Sequence, residues 1–154
     1  MKVQLVVVGK VKGELKSPVS EYERRAGRYW KFSVDEVAAG GKSSAPSDVM
    51  AAEAERIEKR LDPSLELVAL AVEGTAMSSE TLADYLETLQ VRSSAGVAFV
   101  IGGAFGIAPG LKARARRTLS LSGMTLPHEM ARLVLAEQLY RAGTILRGEP
   151  YHKG

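Results

Sequence analysis

The chain has 154 residues, of which 45% are hydrophobic and 25% charged, and its formal net charge is +3. A chain of this length can bury its own core, and the lack of cysteine excludes disulfides, thiolate zinc sites and cysteine nucleophiles. We therefore expect a globular protein of the reducing cytoplasm. No apolar run approaches membrane-spanning length, and the mild positive charge permits a nucleic-acid partner without requiring one.

The predicted elements alternate between strands and helices. The apolar run 3–8, closed by Gly9, is typical of a central strand covered on both faces. Pro18 suits the first turn of one helix and Ser47 can cap the next. In chain order we predict strand 3–8, helix 18–29, strand 32–37, helix 48–61, strand 65–72, helix 78–90, strands 96–101 and 118–122, and a helix from about 127 to before 148. This order predicts one domain over 1–154 with an α/β fold, in which helices cover both faces of a parallel sheet.

The carboxyl ends of these strands are where a ligand site is expected, because ligands of open parallel sheets bind at that edge. The loops after Val72, Ile101 and Ser122 are therefore the expected walls of a site. Residues 74–77 are interpreted as the exit loop of the third strand.

Two glycine-rich segments match phosphate-binding motifs only in part. Residues 40–43, Gly-Gly-Lys-Ser, lack the first glycine of a P-loop because position 36 is Glu, so we interpret them as an ordinary loop. The turn from Gly102 to Gly106 does not complete the dinucleotide-binding pattern. It is either a tight turn after a strand or a point where the backbone approaches a ligand closely, which glycine permits.

The carboxyl-terminal third carries polar residues that each have a structural and a functional interpretation. Residues 120–126 alternate between small polar and apolar side chains, so they form either a strand end or a loop whose backbone reads an adenine edge. Glu137 and Arg141 have the spacing of a surface ion pair on a helix. His128 falls in the first turn of that helix, where the dipole disfavours a charged imidazole. The cations between 112 and 117 form a basic helix that is either solvated or meets phosphates.

Together these motifs resemble one family. Its pattern appears as Ile-Gly-Gly-x-x-Gly at 101–106, Leu-Ser-x-x-Thr-Leu-Pro-His at 121–128, Glu-Gln-Leu-Tyr-Arg-Ala at 137–142 and Pro-Tyr-His at 150–152. The chain is thus similar to the RlmH-type methyltransferases of the SPOUT class, small bacterial enzymes that methylate N3 of a pseudouridine in large-subunit (23S) ribosomal RNA. Two positions depart from the pattern: Ala71 replaces an acidic residue, and Thr75 replaces the lysine of a Gly-Lys pair.

The resemblance implies a SPOUT methyltransferase fold with a C-terminal trefoil knot, S-adenosylmethionine bound in the knot, and a homodimer. It implies an enzyme that needs no metal and does not bind a membrane. Carried over residue by residue, it implies that eight positions contact the cofactor: Leu70, Gly103, Ser122, Gly123, Met124, Thr125, Leu126 and Pro127.

For methyl transfer by such an enzyme we hypothesise the following roles. Arg141, His152 and Lys153 are the available cations for an anionic base, and Tyr151 can stack on or orient that base. Glu137 holds Arg141, and His128 orders the cofactor loop. We hypothesise that the tail of one subunit completes the pocket of the other.

The expected substrate is the assembled ribosome, because a net charge of +3 is small for holding naked RNA. The alternative is a non-catalytic ribosome-associated protein that keeps the cofactor pocket. Ala71 and Thr75 favour this alternative, whereas the intact Pro-Tyr-His tail argues against it. A nucleotide-binding regulator would require a phosphate loop that the chain lacks.

Overall fold

A five-stranded parallel sheet forms the centre of the molecule. The computed structural model describes all residues from Met1 to Gly154. The strands are β1 (Lys2–Val8), β2 (Lys31–Val37), β3 (Glu66–Ala76), β4 (Gly96–Ile101) and β5 (Arg117–Ser120). They lie in the order β2-β1-β4-β3-β5, and every neighbouring pair is parallel. Residues 3–8 of β1 and all of β4 are buried, which confirms the first apolar run as a strand covered on both faces.

Helices cover both faces of this sheet, as predicted. They are α1 (Lys16–Ala26), α2 (Pro46–Arg60), α3 (Ser79–Val91), α4 (Pro109–Arg114) and α5 (His128–Leu146), with a short 3₁₀ helix at Gly13–Leu15. On one face, α1 and α3 pack against α5 and enclose the larger core around Phe99 and Leu86. On the other face, α2 and α4 bury a smaller core around Ile57 and Leu111.

Helix α5 is held firmly in the larger core. Leu135 and Leu139 are fully buried. The indole Nε1–H of Trp30 donates a hydrogen bond of 2.9 Å to the backbone oxygen of Leu139. Gly143 lets the ring of Tyr29 contact the helix, because a Cβ at this position would stand 2.2 Å from Tyr29 Cγ. These contacts hold the middle and the second half of α5 against the core.

A buried ion-pair network fixes the amino-terminal half of the same helix. Arg132 is 7% exposed, and its Nε donates to Glu23 Oε2 at 2.7 Å while Nη1 donates to Glu36 Oε2 at 2.6 Å. Glu23 lies on α1 and Glu36 on β2. Both carboxylates together raise the pKa of Arg132, although burial alone would lower it.

The structure corrects the prediction that Ser47 caps the second helix. Helix α2 begins at Pro46, so Ser47 lies inside its first turn and Ala45 takes the cap position without a side-chain hydrogen bond. Ser43 acts nearby instead, since its Oγ accepts from the amide of Ala45 at 3.1 Å and donates to Asp48 Oδ2 at 2.6 Å. A proline with its fixed φ suits the first helical position, and this preference outweighs the serine signal.

Two other predicted boundaries are also wrong. Residues 74–76 are not an exit loop, because β3 resumes pairing with β5 after a register shift between Leu70 and Thr75. The basic segment is not one helix: α4 ends at Arg114, and Arg117 already begins β5. The predicted helix is too long because the positive charges continue across the boundary between α4 and β5, so the sequence gives no sign that the helix ends.

Candidate functional site

The loops that follow β3, β4 and β5 lie side by side, because these three strands are neighbours in the sheet. Each of these regions exposes a large apolar side chain. Val72, at the register shift within β3, is 43% exposed, Phe105 in the loop after β4 is 47% exposed, and Met124 in the loop after β5 is 78% exposed. Exposed apolar side chains gathered at the carboxyl edge of a parallel sheet are typical of a ligand or partner site.

The loop after β5 presents unpaired backbone groups next to its exposed methionine. Ser120 Oγ donates to the backbone oxygen of Ser122 at 2.9 Å, and Ser122 Oγ accepts from the amide of Met124 at 2.9 Å. The amides of Gly123, Thr125 and Leu126 make no hydrogen bond within the chain. Free amides and carbonyls beside an apolar side chain suit the polar edge and flat face of a purine.

The other predicted cofactor positions lie at the same edge. Leu70 is the last residue of β3 before the register shift and pairs with Leu119. Gly103 forms the turn after β4, and its backbone oxygen accepts from the amide of Gly106 at 3.0 Å. A Cβ on Gly103 would stand 2.9 Å from both carboxylate oxygens of Glu53. The missing side chain therefore makes room for a buried carboxylate that the sequence analysis did not single out.

A second group of polar side chains surrounds Glu137 in the middle of α5. Glu137 Oε1 accepts from Arg141 Nε at 2.9 Å, from Arg141 Nη2 at 2.6 Å and from the hydroxyl of Tyr151 at 3.0 Å. Its Oε2 accepts from Gln138 Nε2 at 2.7 Å. The hydrogen bonds with Glu137 raise the pKa of Arg141, which therefore stays cationic. Glu137 thus holds Arg141 and the tail together.

The contacts of His152 determine its tautomer. Its Nδ1 lies 3.1 Å from Arg141 Nη1, and its Nε2 lies 2.8 Å from Glu80 Oε1. A guanidinium can only donate, so Nδ1 of a neutral imidazole accepts and the proton resides on Nε2, which donates to Glu80. The imidazole is thus oriented by a cation on one side and a carboxylate on the other.

Tyr151 contributes a neutral phenol to the same group. Burial raises its pKa, and hydrogen bonds with Tyr22 and Glu137 raise it further. Its ring lies 4.8 Å from the guanidinium carbon of Arg141 and packs edge-on at 4.7 Å against Tyr140. The aromatic contacts hold the tail against α5 rather than leaving it frayed.

The structure brings together four of the five predicted catalytic residues and separates the fifth. Glu137, Arg141, Tyr151 and His152 form one network, whereas the ring of His128 lies against Gly9 and its Nδ1 is buried without a hydrogen-bond partner. At a rise of about 1.5 Å per residue, positions 128 and 141 of one helix are about 20 Å apart. Lys153 is exposed and makes no ion pair. The loop after β5 therefore lies at the start of α5, whereas the Arg141 network lies along its middle and second half.

Two carboxylates of this region were missed at the level of sequence. Glu80, on the first turn of α3, is an ordinary first-turn acid in the sequence, and nothing distinguishes it as a partner of His152. Glu53 carried a clearer signal, because it lies four residues after Val49 and four before Ile57 on the buried face of α2.

No group of three or more histidine, aspartate or glutamate side chains is placed to hold a metal ion. None of the helices is long and apolar enough to cross a membrane.

Comparison with known proteins shows similarity over nearly the whole chain. Residues 1–152 match the family described as "Predicted SPOUT methyltransferase". A protein of Gemmatimonas aurantiaca named "Ribosomal RNA large subunit methyltransferase H" is 47% identical over 155 residues, which is 99% of this chain and 100% of the relative. A protein of the same name from Acetivibrio thermocellus is 45% identical over 159 residues, with the same coverage.

A solved structure has a similar fold. The crystal structure of a probable methyltransferase from Bordetella pertussis Tohama I superposes with a TM-score of 0.59 at 14% identity, covering 92% of this chain and 95% of that one. The matches span the strands, the loops at the carboxyl edge of the sheet and helix α5.

Proposed function

This chain belongs to the SPOUT methyltransferase family, and from that premise we propose that it transfers a methyl group from S-adenosylmethionine to N3 of a pseudouridine in large-subunit ribosomal RNA. The observation that carries the proposal is the full-length identity of 47% to a ribosomal RNA large-subunit methyltransferase, which includes both the cofactor loop and the tail. The trefoil knot, the cofactor and the acceptor base are parts of this proposal that the family resemblance implies.

The loop after β5 supports the choice of cofactor. Its free amides at Gly123, Thr125 and Leu126 can read the adenine edge, and Met124 can cover the ring. Gly103 and Leu70 would form the facing walls. The bound donor supplies a methyl group on a positively charged sulfur, so the main task of these residues is alignment.

The Arg141 network supports the choice of an acidic ring nitrogen as acceptor. Such a nitrogen must lose its proton before or during attack. Of the five N–H groups of a guanidinium, three of Arg141 are used by Glu137 and His152, so two remain to stabilise an anionic base. Tyr151, held neutral, can donate to or stack on the base.

His152 and Glu80 are the pair we propose for the proton. When the pseudouridine ring displaces Arg141 Nη1 from His152 Nδ1, His152 Nδ1 can take the proton from N3 of the pseudouridine. Glu80 would then stabilise the resulting imidazolium through the hydrogen bond at Nε2. Glu137 is unsuited to accept the proton, because both of its carboxylate oxygens already accept hydrogen bonds.

The separation along α5 supports a composite site in a homodimer. The backbone of Arg141 lies about 20 Å along the helix axis from the first residue of α5, which favours action of Arg141 on a methyl group held by the other subunit. A two-fold dimer that pairs α5 with its copy would bring the tail of one subunit to the loop of the other. Met130, which is 37% exposed on α5, supplies apolar surface for such pairing.

Mixing two inactive variants tests the composite site. One variant carries Arg141→Ala and the other carries Gly123→Trp, which blocks the cofactor loop. After co-expression, half of the dimers in a random mixture are heterodimers. In each heterodimer, one of the two sites combines an intact loop with an intact tail, so about a quarter of wild-type activity should return. If no activity returns above that of either variant alone, the tail and the loop act within one subunit and the composite site is wrong.

We propose the assembled ribosome as the substrate because the charge available for RNA is small. A net charge of +3 provides few phosphate contacts, and binding that relies on these contacts weakens steeply with salt. Transfer to ribosomes or large subunits should therefore exceed transfer to protein-free RNA. Equal rates on both substrates would contradict the proposal.

The direct test is methyl transfer from labelled S-adenosylmethionine to ribosomes from a strain that lacks this protein, followed by nucleoside analysis. Ribosomes from the parent strain are the control, because their site is already methylated. Label in N3-methylpseudouridine would support the proposal. Binding of the cofactor without any label would favour the non-catalytic ribosome-associated protein.

A further inference from the structure

A buried carboxylate lies beneath the glycine turn of the proposed cofactor site. Glu53, on α2, is 2% exposed. Its Oε2 accepts from the amide of Gly40 at 3.0 Å, whereas its Oε1 is buried without any hydrogen-bond partner. Folded proteins rarely leave a buried acceptor unpaired, because its lost hydration is not replaced. Such an atom next to a functional loop calls for an explanation.

No cation of the chain forms an ion pair with this carboxylate. Glu53 takes part in none of the ion pairs. Arg56, one turn further along α2, directs its Nη1 to the backbone oxygens of Ala38 and Gly40, at 2.8 and 2.6 Å. Buried carboxylates are normally paired, so Glu53 is a site where a positive charge from outside the chain would be favoured.

The carboxylate is placed to act on the loop after β4. Both of its oxygens lie within 2.9 Å of the position that a Cβ of Gly103 would occupy. On the same side, Val8 Cγ1 lies 3.0 Å from that position. The field of Glu53 therefore reaches the Gly103 loop through packed protein rather than through water, and charges interact more strongly in such surroundings.

We infer that Glu53 makes this pocket select for the positive charge on the sulfur of S-adenosylmethionine and against the uncharged sulfur of its product. The inference rests on the proposed function. When the methyl group leaves, the electron pair of the carbon–sulfur bond stays on sulfur, so the ligand loses one positive charge. An uncompensated carboxylate then attracts the donor but not the product. Glu53 thus helps to bind the one and to release the other.

The test compares the dissociation constants of S-adenosylmethionine and S-adenosylhomocysteine by calorimetry, without RNA. In Glu53→Gln, the preference for the donor over the product should fall by about tenfold, since unit charges interact appreciably across protein. Binding of S-adenosylhomocysteine should change little. Glu53→Asp, which keeps the charge, should keep the preference.

Glu55→Gln is the matched control. It removes the same formal charge two residues further along α2, from an exposed carboxylate whose partner Lys59 lies 3.6 Å away. Water and salt screen this position, so the preference should stay at its wild-type value.

Two outcomes overturn the inference. If Glu53→Gln weakens both ligands equally, Glu53 only supports the loop and does not select charge. If the variant does not fold, wild-type protein supplies the answer. An analogue with a protonated amine in place of the sulfonium should bind more tightly than S-adenosylhomocysteine, also at high salt, and equal binding refutes the selection. If wild-type protein binds neither natural ligand, the proposed function fails instead.

Discussion

Replacing Arg141 by alanine should strongly reduce methyl transfer while leaving cofactor binding intact. The change removes the hydrogen bonds to Glu137 at 2.9 and 2.6 Å, the contact with His152 at 3.1 Å and the cation that lies 4.8 Å from the ring of Tyr151. Loss of one preorganised donor to a developing anion costs about 10²–10³ in kcat, so a fall of this size is expected.

The same substitution should cost little stability. Arg141 and Glu137 have side chains that are 24% and 18% exposed, so water partly screens their interaction. Glu137 also keeps its hydrogen bonds from Tyr151 and Gln138. We expect a loss of about 1–2 kcal/mol in the free energy of unfolding, well below what would unfold a typical domain.

Three measurements on purified protein test this prediction. Calorimetry gives the dissociation constant of S-adenosylmethionine, thermal melting gives stability, and label transfer to ribosomes gives kcat. Arg147→Ala is the matched control, because it removes another arginine from the end of the same helix. The guanidinium carbon of Arg147 lies 4.8 Å from the ring of Tyr29, outside the Glu137 network. This control should transfer methyl groups within about twofold of wild type. Transfer by Arg141→Ala within about threefold of wild type, at unchanged cofactor affinity, would refute the role of Arg141.

Three further substitutions have defined outcomes. Gly103→Ala should weaken S-adenosylmethionine binding and lower stability by about 1–3 kcal/mol, because the new Cβ meets the buried carboxylate of Glu53; calorimetry at unchanged affinity would contradict this. Gly143→Ala should lower the melting temperature, because the Cβ overlaps the ring of Tyr29. The third substitution removes a buried phenol. Burial and a hydrogen bond with a glutamate raise the pKa of Tyr85. The phenol of Tyr85 therefore contributes fully to stability below pH about 10, and this contribution is lost as pH rises towards the folded-state pKa. Tyr85→Phe should therefore flatten the alkaline decline of the melting temperature, and an unchanged slope would show that this phenol does not contribute.

The fold was predictable where local pattern and tertiary burial agree. The apolar runs of β1 and β4 are continuous because both faces of these strands are covered, and the periodicity of α5 reflects a helix packed into the core. The second half of β3 was not predictable. Its pairing with β5 resumes only after a register shift, and that geometry depends on a strand more than 40 residues away in sequence.

The site was predictable in its parts but not in its arrangement. The residue types at 122–127 and 137–152 suggest a ligand loop and a polar tail, and the family resemblance adds the cofactor and substrate. The hydrogen bond between His152 and Glu80 joins positions 72 residues apart, so no local sequence pattern could have predicted it. The unpaired oxygen of Glu53 depends in the same way on how α2 packs beneath the turn at Gly103.

The contact between Trp30 and α5 makes the helix observable in solution. Trp30 is the single tryptophan of the chain, is 4% exposed, and donates a hydrogen bond to the backbone of Leu139, midway in sequence between the loop after β5 and the tail. Its fluorescence therefore reports on one known place in the molecule. A shift of α5 during ligand binding or subunit pairing would change the emission of this indole, so stopped-flow spectroscopy can follow both events without an added label.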